Sequence, residues 1–161
     1  MTVIRKRAPS RKPVTKAKKG ASKTTPKSKT AARVPTVSDY MTRSPHTIGR
    51  DQTLAQAHAI MNAKRIRHLP VLDGGELVGL LSQRDLYFVE MLDATKPARI
   101  RVEEAMSPEV FEVAADAPLA EVVSTMQRKK LGCVVVTAPG KVVGVFSTVD
   151  ALRALLDHLP S

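Results

Sequence analysis

Two copies of one short motif carry the residues of this chain whose types and spacing could do chemistry. Each copy has a glycine, a serine and an aspartate spaced three residues apart: Gly79, Ser82 and Asp85, then Gly144, Ser147 and Asp150. In each copy the glycine lies in a predicted strand, where the missing side chain lets the backbone approach a ligand. The serine lies where a helix is predicted to begin, and free N–H groups there favour a phosphate.

The aspartate of each motif lies one turn into that predicted helix. An ionised carboxylate only accepts hydrogen bonds, so it could accept them from both vicinal hydroxyls of a ribose, which 2′-deoxyribose lacks. The motifs therefore predict ribonucleotide sites. A purely structural interpretation competes with this one: Ser82 and Ser147 are N-caps, and Asp85 and Asp150 complement the helix dipole. The glycine at the same spacing in both copies favours binding, because capping alone does not require it.

Both motifs belong to an internal repeat with a constant offset of 65 residues. Without any gap, the offset pairs residues of the same type along the chain: Leu54 with Leu119, Met61 with Met126, Val71 with Val136, Gly75 with Gly140 and Gly79 with Gly144. A constant offset with a shared apolar pattern indicates duplication of one structural unit.

Each repeat predicts the element order β-α-β-β-α. A short strand (47–48; 111–113) leads to Asp51 or Asp116, the candidate N-cap of an amphipathic helix. An apolar strand (69–72; 133–136), a glycine-containing turn and a partner strand (77–81; 142–146) follow, and a closing helix starts after Ser82 or Ser147. The predicted fold class is α+β, with two such repeats preceded by a disordered basic tail.

The quoted pattern resembles a pair of cystathionine-β-synthase (CBS) domains, the tandem unit called a Bateman module. The resemblance covers about residues 36–158 and rests on three segments: 67–73 (RHLPVLD), 79–85 (GLLSQRD) and 144–150 (GVFSTVD). It implies a pseudo-two-fold module with two clefts, each able to bind an adenine nucleotide or a related adenosyl ligand.

Carried over residue by residue, the resemblance assigns a set of residues to each cleft. One cleft would hold Ser147, Asp150, Thr47, Arg67 and His68; the other would hold Ser82, Arg84, Asp85, Glu112 and Gly132. Glu112 could repel a phosphate, whereas Arg84 adds a phosphate donor where the second repeat has Val149. One ligand per module is therefore at least as plausible as two.

His68 and Cys133 are matched by the repeat and would begin central strands. Neither has further metal ligands at a useful spacing, and Cys133 has no evident base to activate it. We therefore expect no metal site, no catalytic residue and no enzyme activity.

Residues 1–34 hold 12 Lys and Arg side chains and no acid, whereas the rest of the chain holds 14 basic and 15 acidic ones. This Lys/Pro/Ala-rich composition predicts a disordered tail and resembles the tails of linker histones and histone-like bacterial proteins. Such a tail can bind DNA or RNA phosphates by counterion release. The candidate contacts are lysines of the tail: Lys12, Lys16, Lys18, Lys19, Lys27 and Lys29. A solubilising extension and an organelle transit peptide are the alternatives.

The predicted boundaries are a tail (1–34), a first CBS domain (35–93), a linker (94–101) and a second CBS domain (102–159). No apolar run approaches the roughly 20 residues of a membrane span.

The single cysteine allows no internal disulfide and fits a reducing compartment. We therefore expect a cytoplasmic location, with nucleoid association as the option that the tail raises.

Taken together, the sequence predicts a non-enzymatic, energy-sensing regulatory protein that binds AMP, ADP, ATP or another adenosyl compound. It would need no cofactor, would act on an unidentified protein partner, and would form a homodimer through apolar faces of the closing helices. Two alternatives stay open. One is a nucleic-acid-associated protein with a dimerising body, and the other is a structural dimerisation unit with empty clefts.

Overall fold

The computed structural model describes residues 33–92 and 96–160, so the tail lysines lie outside the described part. The described elements follow in chain order: β1 (Thr42–Arg43), β2 (Ile48–Gly49), α1 (Leu54–Lys64), β3 (His68–Asp73), β4 (Glu76–Ser82), α2 (Gln83–Leu92), β5 (Glu112–Ala114), α3 (Leu119–Lys129), β6 (Cys133–Ala138), β7 (Lys141–Ser147) and α4 (Thr148–His158). The α+β class and the repeated β-α-β-β-α order are confirmed. Short 3₁₀ turns at Val37–Asp39, Lys96–Ala98 and Val102–Glu104 are additions that the repeat pattern did not predict.

Two sheets carry the two repeats. The three-stranded sheet has the order β2-β3-β4, and the four-stranded sheet has the order β1-β7-β6-β5. In each sheet the short early strand is parallel to the central strand, which is antiparallel to its hairpin partner. The glycine turns behave as predicted, since Gly74, Gly75 and Gly140 all have positive φ angles (57°, 94° and 68°).

The first helix of each repeat does not begin at the N-cap residue that the sequence predicted. Helix α1 is capped by Thr53, which exchanges hydrogen bonds with Gln56, and α3 begins after Pro118, which offers no side-chain cap. Asp51 and Asp116 lie two residues earlier and cap neither helix. The spacing of apolar residues located both helices, but it did not fix their first residue, because two neighbouring residue types can each begin a helix.

Each repeat has its own hydrophobic core, and each core contains the opening segment of the other repeat. Val37 and Met41 open the first repeat, yet they pack in the core of the second with Phe146. Val102 opens the second repeat and packs in the core of the first. Strand β1 accordingly pairs with β7, with Thr42 opposite Val145. The repeats therefore exchange their opening segments, a feature that domain boundaries along the sequence do not reveal.

In the part of the chain that the structure describes, no helix combines the length and apolarity that spanning a membrane requires.

Candidate functional site

Two clefts lie side by side where the repeats meet. We call them the Asp150 cleft and the Asp85 cleft, after the motif aspartate in each. They share residues of the two central strands and their approaches, notably Arg67, His68, Gly132 and Cys133. Their volumes are about 390 Å³ for the Asp150 cleft and about 680 Å³ for the Asp85 cleft. Both volumes fall in the range of small-molecule sites in proteins.

The serine and aspartate of each motif hold one another at the start of a closing helix. Ser82 donates from its hydroxyl (2.6 Å) and its backbone N–H (2.8 Å) to Asp85 Oδ2. Ser147 does the same to Asp150 Oδ2, at 2.7 and 2.8 Å. The structural interpretation is therefore realised, because both motifs cap a helix. It does not exclude binding, since the cap uses only Oδ2 of each aspartate, and both aspartates line their clefts.

The motif glycines have a packing role that the sequence analysis did not assign. A Cβ atom on Gly79 would collide with the Met106 side chain and lie 3.1 Å from the Ser107 carbonyl oxygen. On Gly144, it would collide with Met41 and lie 3.2 Å from the Thr42 carbonyl oxygen. Neither glycine lines a cleft. Another group does approach the backbone of each glycine closely, as expected. That group is the opening segment of the other repeat, and not a ligand.

The two motif aspartates differ in their surroundings. Asp150 is 4% exposed, and its Oδ1 lies 3.3 Å from Nη1 of Arg153 on the same helix. Asp85 is half-buried, and the position equivalent to Arg153 is Phe88, which is exposed. A ribose entering the Asp150 cleft would therefore meet a carboxylate that already has a cationic partner.

Two of the residues that both clefts share, His68 and Cys133, are uncharged at neutral pH. Burial, aided by the charges of Arg67 and Arg84 and opposed by Asp85, lowers the pKa of His68 below its usual value. Burial, aided by Asp150, raises the pKa of the Cys133 thiol to about 12. His68 is therefore a neutral hydrogen-bonding group, and Cys133 is a protonated thiol without nucleophilic character.

The Asp150 cleft brings together most of its predicted residues. Ser147, Asp150, Arg67 and His68 all line it, whereas Thr47 does not. The residues just before Thr47, 44–46, line the cleft in its place. Strand β2 begins only at Ile48, so the residues that face the cleft belong to the irregular segment before it.

The Asp85 cleft contains Ser82, Arg84, Asp85 and Gly132, as predicted. Glu112 is absent from its lining and instead lines a groove beside the β6–β7 turn. The expected repulsion by Glu112 therefore does not arise at this position. The acid that lines the cleft beside Asp85 is Glu109, three residues before Glu112.

Sequence reasoning missed several charged residues that line the clefts: Arg43, Arg65, Arg153, Glu109 and Lys130. Arg65 and Lys130 are equivalent in the repeat and both end a helix in the left-handed conformation, with φ of 54° and 55°. Their common offset was a signal that could have indicated a shared role. In residues 33–92 and 96–160, no group of three His, Cys, Asp or Glu side chains could hold a metal ion.

Comparison with known proteins identifies the family. The model of the CBS domain matches residues 37–90 and 102–157. The chain therefore belongs to the CBS-domain family and contains a tandem pair of these domains.

Individual relatives support this assignment. Hypoxic response protein 1 of Mycobacterium tuberculosis is 26% identical over 76% of this chain and 87% of its own length. Inosine-5′-monophosphate dehydrogenase of Korarchaeum cryptofilum is 34% identical over 55% of this chain, but this match spans only 20% of that enzyme. Relatives of this second kind share the CBS module and not the remaining chain.

Solved structures show the same fold. A protein of Vibrio cholerae described as an acetoin utilization protein (AcuB) superposes with a TM-score of 0.70 at 35% identity, covering 78% of this chain and 93% of that one. CBSX2 in complex with AMP gives 0.66 at 25% identity, covering 76% and 96%. The CBS pair of MJ0100, in complex with 5′-methylthioadenosine and S-adenosyl-L-methionine, gives 0.69 at 25% identity, covering 75% and 99%.

Proposed function

We propose that this protein is a non-enzymatic regulatory module that binds an adenosyl nucleotide in the clefts between its repeats and acts on a protein partner. The observation that carries the proposal is the pairing in each cleft. The motif aspartate of each repeat lines its cleft together with Arg67, His68 and Gly132, which lie at or just before the starts of the two central strands.

The chemistry of the clefts fits a ribonucleotide. Oδ1 of the motif aspartate can accept hydrogen bonds from ribose hydroxyls while Oδ2 keeps the helix cap. Arginines at the rim can pair with phosphate, and neutral His68 can hydrogen-bond to it. Two structural neighbours were solved with adenosyl ligands, which supports the same ligand class here.

Isothermal titration calorimetry with AMP, ADP, ATP and their 2′-deoxy analogues tests the binding proposal. We expect Asp85→Asn and Asp150→Asn each to weaken one site by about 10–100-fold, because a hydrogen bond to a charged group is lost. The double variant keeps the basic tail, so any titration it retains measures binding by the tail. If the double variant binds as the natural protein does, the clefts are not the site.

A matched control separates binding from capping. Thr53→Ala removes the cap of α1, which also joins a hydroxyl residue to the side chain three residues later but lies outside both clefts. It should lower the melting temperature and leave nucleotide affinity unchanged. Equal losses of affinity in Thr53→Ala and Asp85→Asn would mean that the aspartate acts through stability alone.

The closing helices support a homodimer. Their outer faces carry large exposed apolar side chains: Tyr87, Phe88, Met91 and Leu92 on α2, and Val149, Leu152, Leu155 and Leu156 on α4. Apolar faces of this size usually mark an interface. Because the repeat relates the two faces, a second copy of the chain offers a matching surface.

Light scattering tests the dimer. Met91→Glu and Leu156→Glu place charges on side chains that are 86% and 69% exposed, so they should disturb the fold little and dissociate the dimer. Arg128→Glu on α3 is a control for a charge change elsewhere. A strict monomer at tens of micromolar for the natural protein would reject the interface.

The charge of residues 1–34 favours a second, separate activity, which is binding to nucleic acid. Twelve cations without an acid or an aromatic residue can neutralise phosphates but cannot recognise bases. Filter binding to DNA at two salt concentrations should show affinity that falls steeply with salt and is lost when residues 1–34 are deleted. Equal retention of the full-length and truncated proteins would leave the tail as a solubilising extension.

A further inference from the structure

The two clefts carry different charge. The Asp150 cleft is lined by four arginines and one acid: Arg43, Arg65, Arg67, Arg153 and Asp150. The Asp85 cleft is lined by three cations and two acids: Arg67, Arg84, Lys130, Asp85 and Glu109. With histidines neutral, the net lining charges are +3 and +1. These charges are local, because the whole of residues 35–161 is nearly neutral.

The repeat shows where the difference arises. At three pairs of equivalent positions, the Asp150 cleft is the more positive: Arg43 against Pro108, Ser44 against Glu109 and Arg153 against Phe88. One pair works in the opposite direction, with Arg84 against Val149. These four pairs account for the whole difference of two charges between the linings of the two clefts.

Arg153 adds a selective element to this charge. It is paired with Asp150 Oδ1, the oxygen that a ribose needs, and its side chain is 59% exposed at the cleft rim. A ligand that binds Asp150 through its ribose displaces the guanidinium. A ligand with a phosphate chain offers Arg153 a new anionic partner, whereas an uncharged ligand leaves it without one.

We propose that the Asp150 cleft binds an adenosyl polyphosphate, of the ADP or ATP class, and that the Asp85 cleft binds an adenosyl ligand without a polyphosphate. This inference rests on the proposed nucleotide binding and assigns a ligand class to each cleft. The Asp150 cleft is the smaller of the two, so the phosphates of such a ligand would extend beyond the cleft and over its exposed arginines. The module then reads two kinds of adenosyl compound at once.

Calorimetry with ATP and 5′-methylthioadenosine tests the assignment on the full chain, in a buffer without divalent cations. Asp85→Asn leaves the Asp150 cleft intact and should retain ATP binding, while Asp150→Asn should retain 5′-methylthioadenosine binding. The double variant measures the contribution of the tail. Retention of ATP by Asp150→Asn together with its loss in Asp85→Asn would overturn the assignment, as would competition of both ligands for one cleft.

Reciprocal substitutions taken from the repeat itself test the cause. Arg153→Phe and Ser44→Glu give the Asp150 cleft the residues of its counterpart, and each should weaken ATP about 3–10-fold at low salt, as expected for one charge near the phosphates. The loss should shrink at high salt. Arg128→Phe makes the same change of charge outside both clefts and should leave ATP affinity unchanged.

The outcomes distinguish this inference from the proposed function. If neither ligand binds better to the natural protein than to the double variant, both the function and the assignment fail. If both ligands bind the clefts but Arg153→Phe weakens ATP and 5′-methylthioadenosine equally, Arg153 only supports Asp150 and the assignment by charge fails alone. A loss confined to ATP supports it.

Discussion

The backbones of the two repeats correspond residue for residue along their hairpins. His68 lies opposite Ser82 in the first repeat, as Cys133 lies opposite Ser147 in the second, and both hairpins shift register after the equivalent valine. The side chains at the clefts do not correspond in the same way. Where one repeat has an arginine, the equivalent position of the other repeat has a phenylalanine, a proline or a valine. The comparison separates the backbone pairing of the hairpins, which is shared, from the side chains that line the clefts, which differ.

The largest expected effect concerns the exchanged segments. Deleting residues 1–44 removes Val37 and Met41 from the second core, and burial of two such side chains contributes about 3–6 kcal/mol. Amide hydrogen exchange should show lost protection first in α3 and β6, not in α1 and β3, although the deleted core residues belong to the first repeat in sequence. Deleting residues 1–32 is the control and should change neither repeat.

Two point substitutions test, with less disruption than a deletion, which core contains the opening segment of each repeat. Val37→Ala should increase hydrogen exchange in the second repeat, and Val102→Ala should increase it in the first, since each valine is fully buried in the core of the other repeat. If each substitution instead loosens the repeat that follows it in sequence, the exchange of segments is wrong.

The motif glycines should respond alike in the two repeats. Gly79→Ala and Gly144→Ala each force a methyl group against a methionine and a backbone carbonyl, and overpacking of this kind costs about 1–3 kcal/mol. Chemical denaturation should give similar losses for both. Combining Gly144→Ala with Met41→Ala should show an interaction energy that differs from zero, whereas strict additivity would argue against the contact.

The first helices of the repeats should respond differently. Thr53→Ala removes a reciprocal cap and should cost about 1 kcal/mol, whereas Pro118→Ala removes no side-chain cap and should cost less. Equal losses in urea denaturation would indicate that the Thr53 cap contributes nothing beyond the backbone.

The smallest effect is a pH dependence that only the first repeat should show. Because the pKa of His68 is lowered on folding, the unfolded chain binds more protons just below about pH 6.5, and stability falls as pH falls through this window. His68→Gln should flatten that fall, and His46→Gln, at an exposed position, should not. Cys133, the equivalent residue, stays protonated throughout this range because its pKa is about 12.

Much of this architecture follows from the sequence, since the 65-residue offset and the apolar periodicity defined both repeats and the closing helices after Ser82 and Ser147. What they could not supply is long-range packing. No local sequence pattern shows that Val37 and Val102 pack in the core of the other repeat, because the same apolar residue type fits either core. The N-caps were displaced for a similar reason, since Asp51 and Thr53 are both good cap residues and tertiary contacts decide between them.

The candidate site was predictable where it coincides with the motif and not where it depends on irregular chain. Asp85, Asp150, Arg67 and His68 were located by motif and resemblance, and the structure places them in the clefts. Thr47 and Glu112 do not line the clefts because earlier residues, 44–46 and Glu109, reach them instead. Arg153 was missed because it lies outside the motif, although the predicted helix after Ser147 already placed it three residues from Asp150 on one helix.

The exchanged opening segments also bear on how the chain is synthesised. During translation, the first repeat emerges from the ribosome before Val102 exists, so its core stays incomplete until the linker and the start of the second repeat have followed. The segment around Val37 is synthesised early, but it cannot be buried until the second repeat, whose core it joins, has been synthesised. Neither half can therefore finish folding alone, and the module should fold as one cooperative unit after the last strand is released.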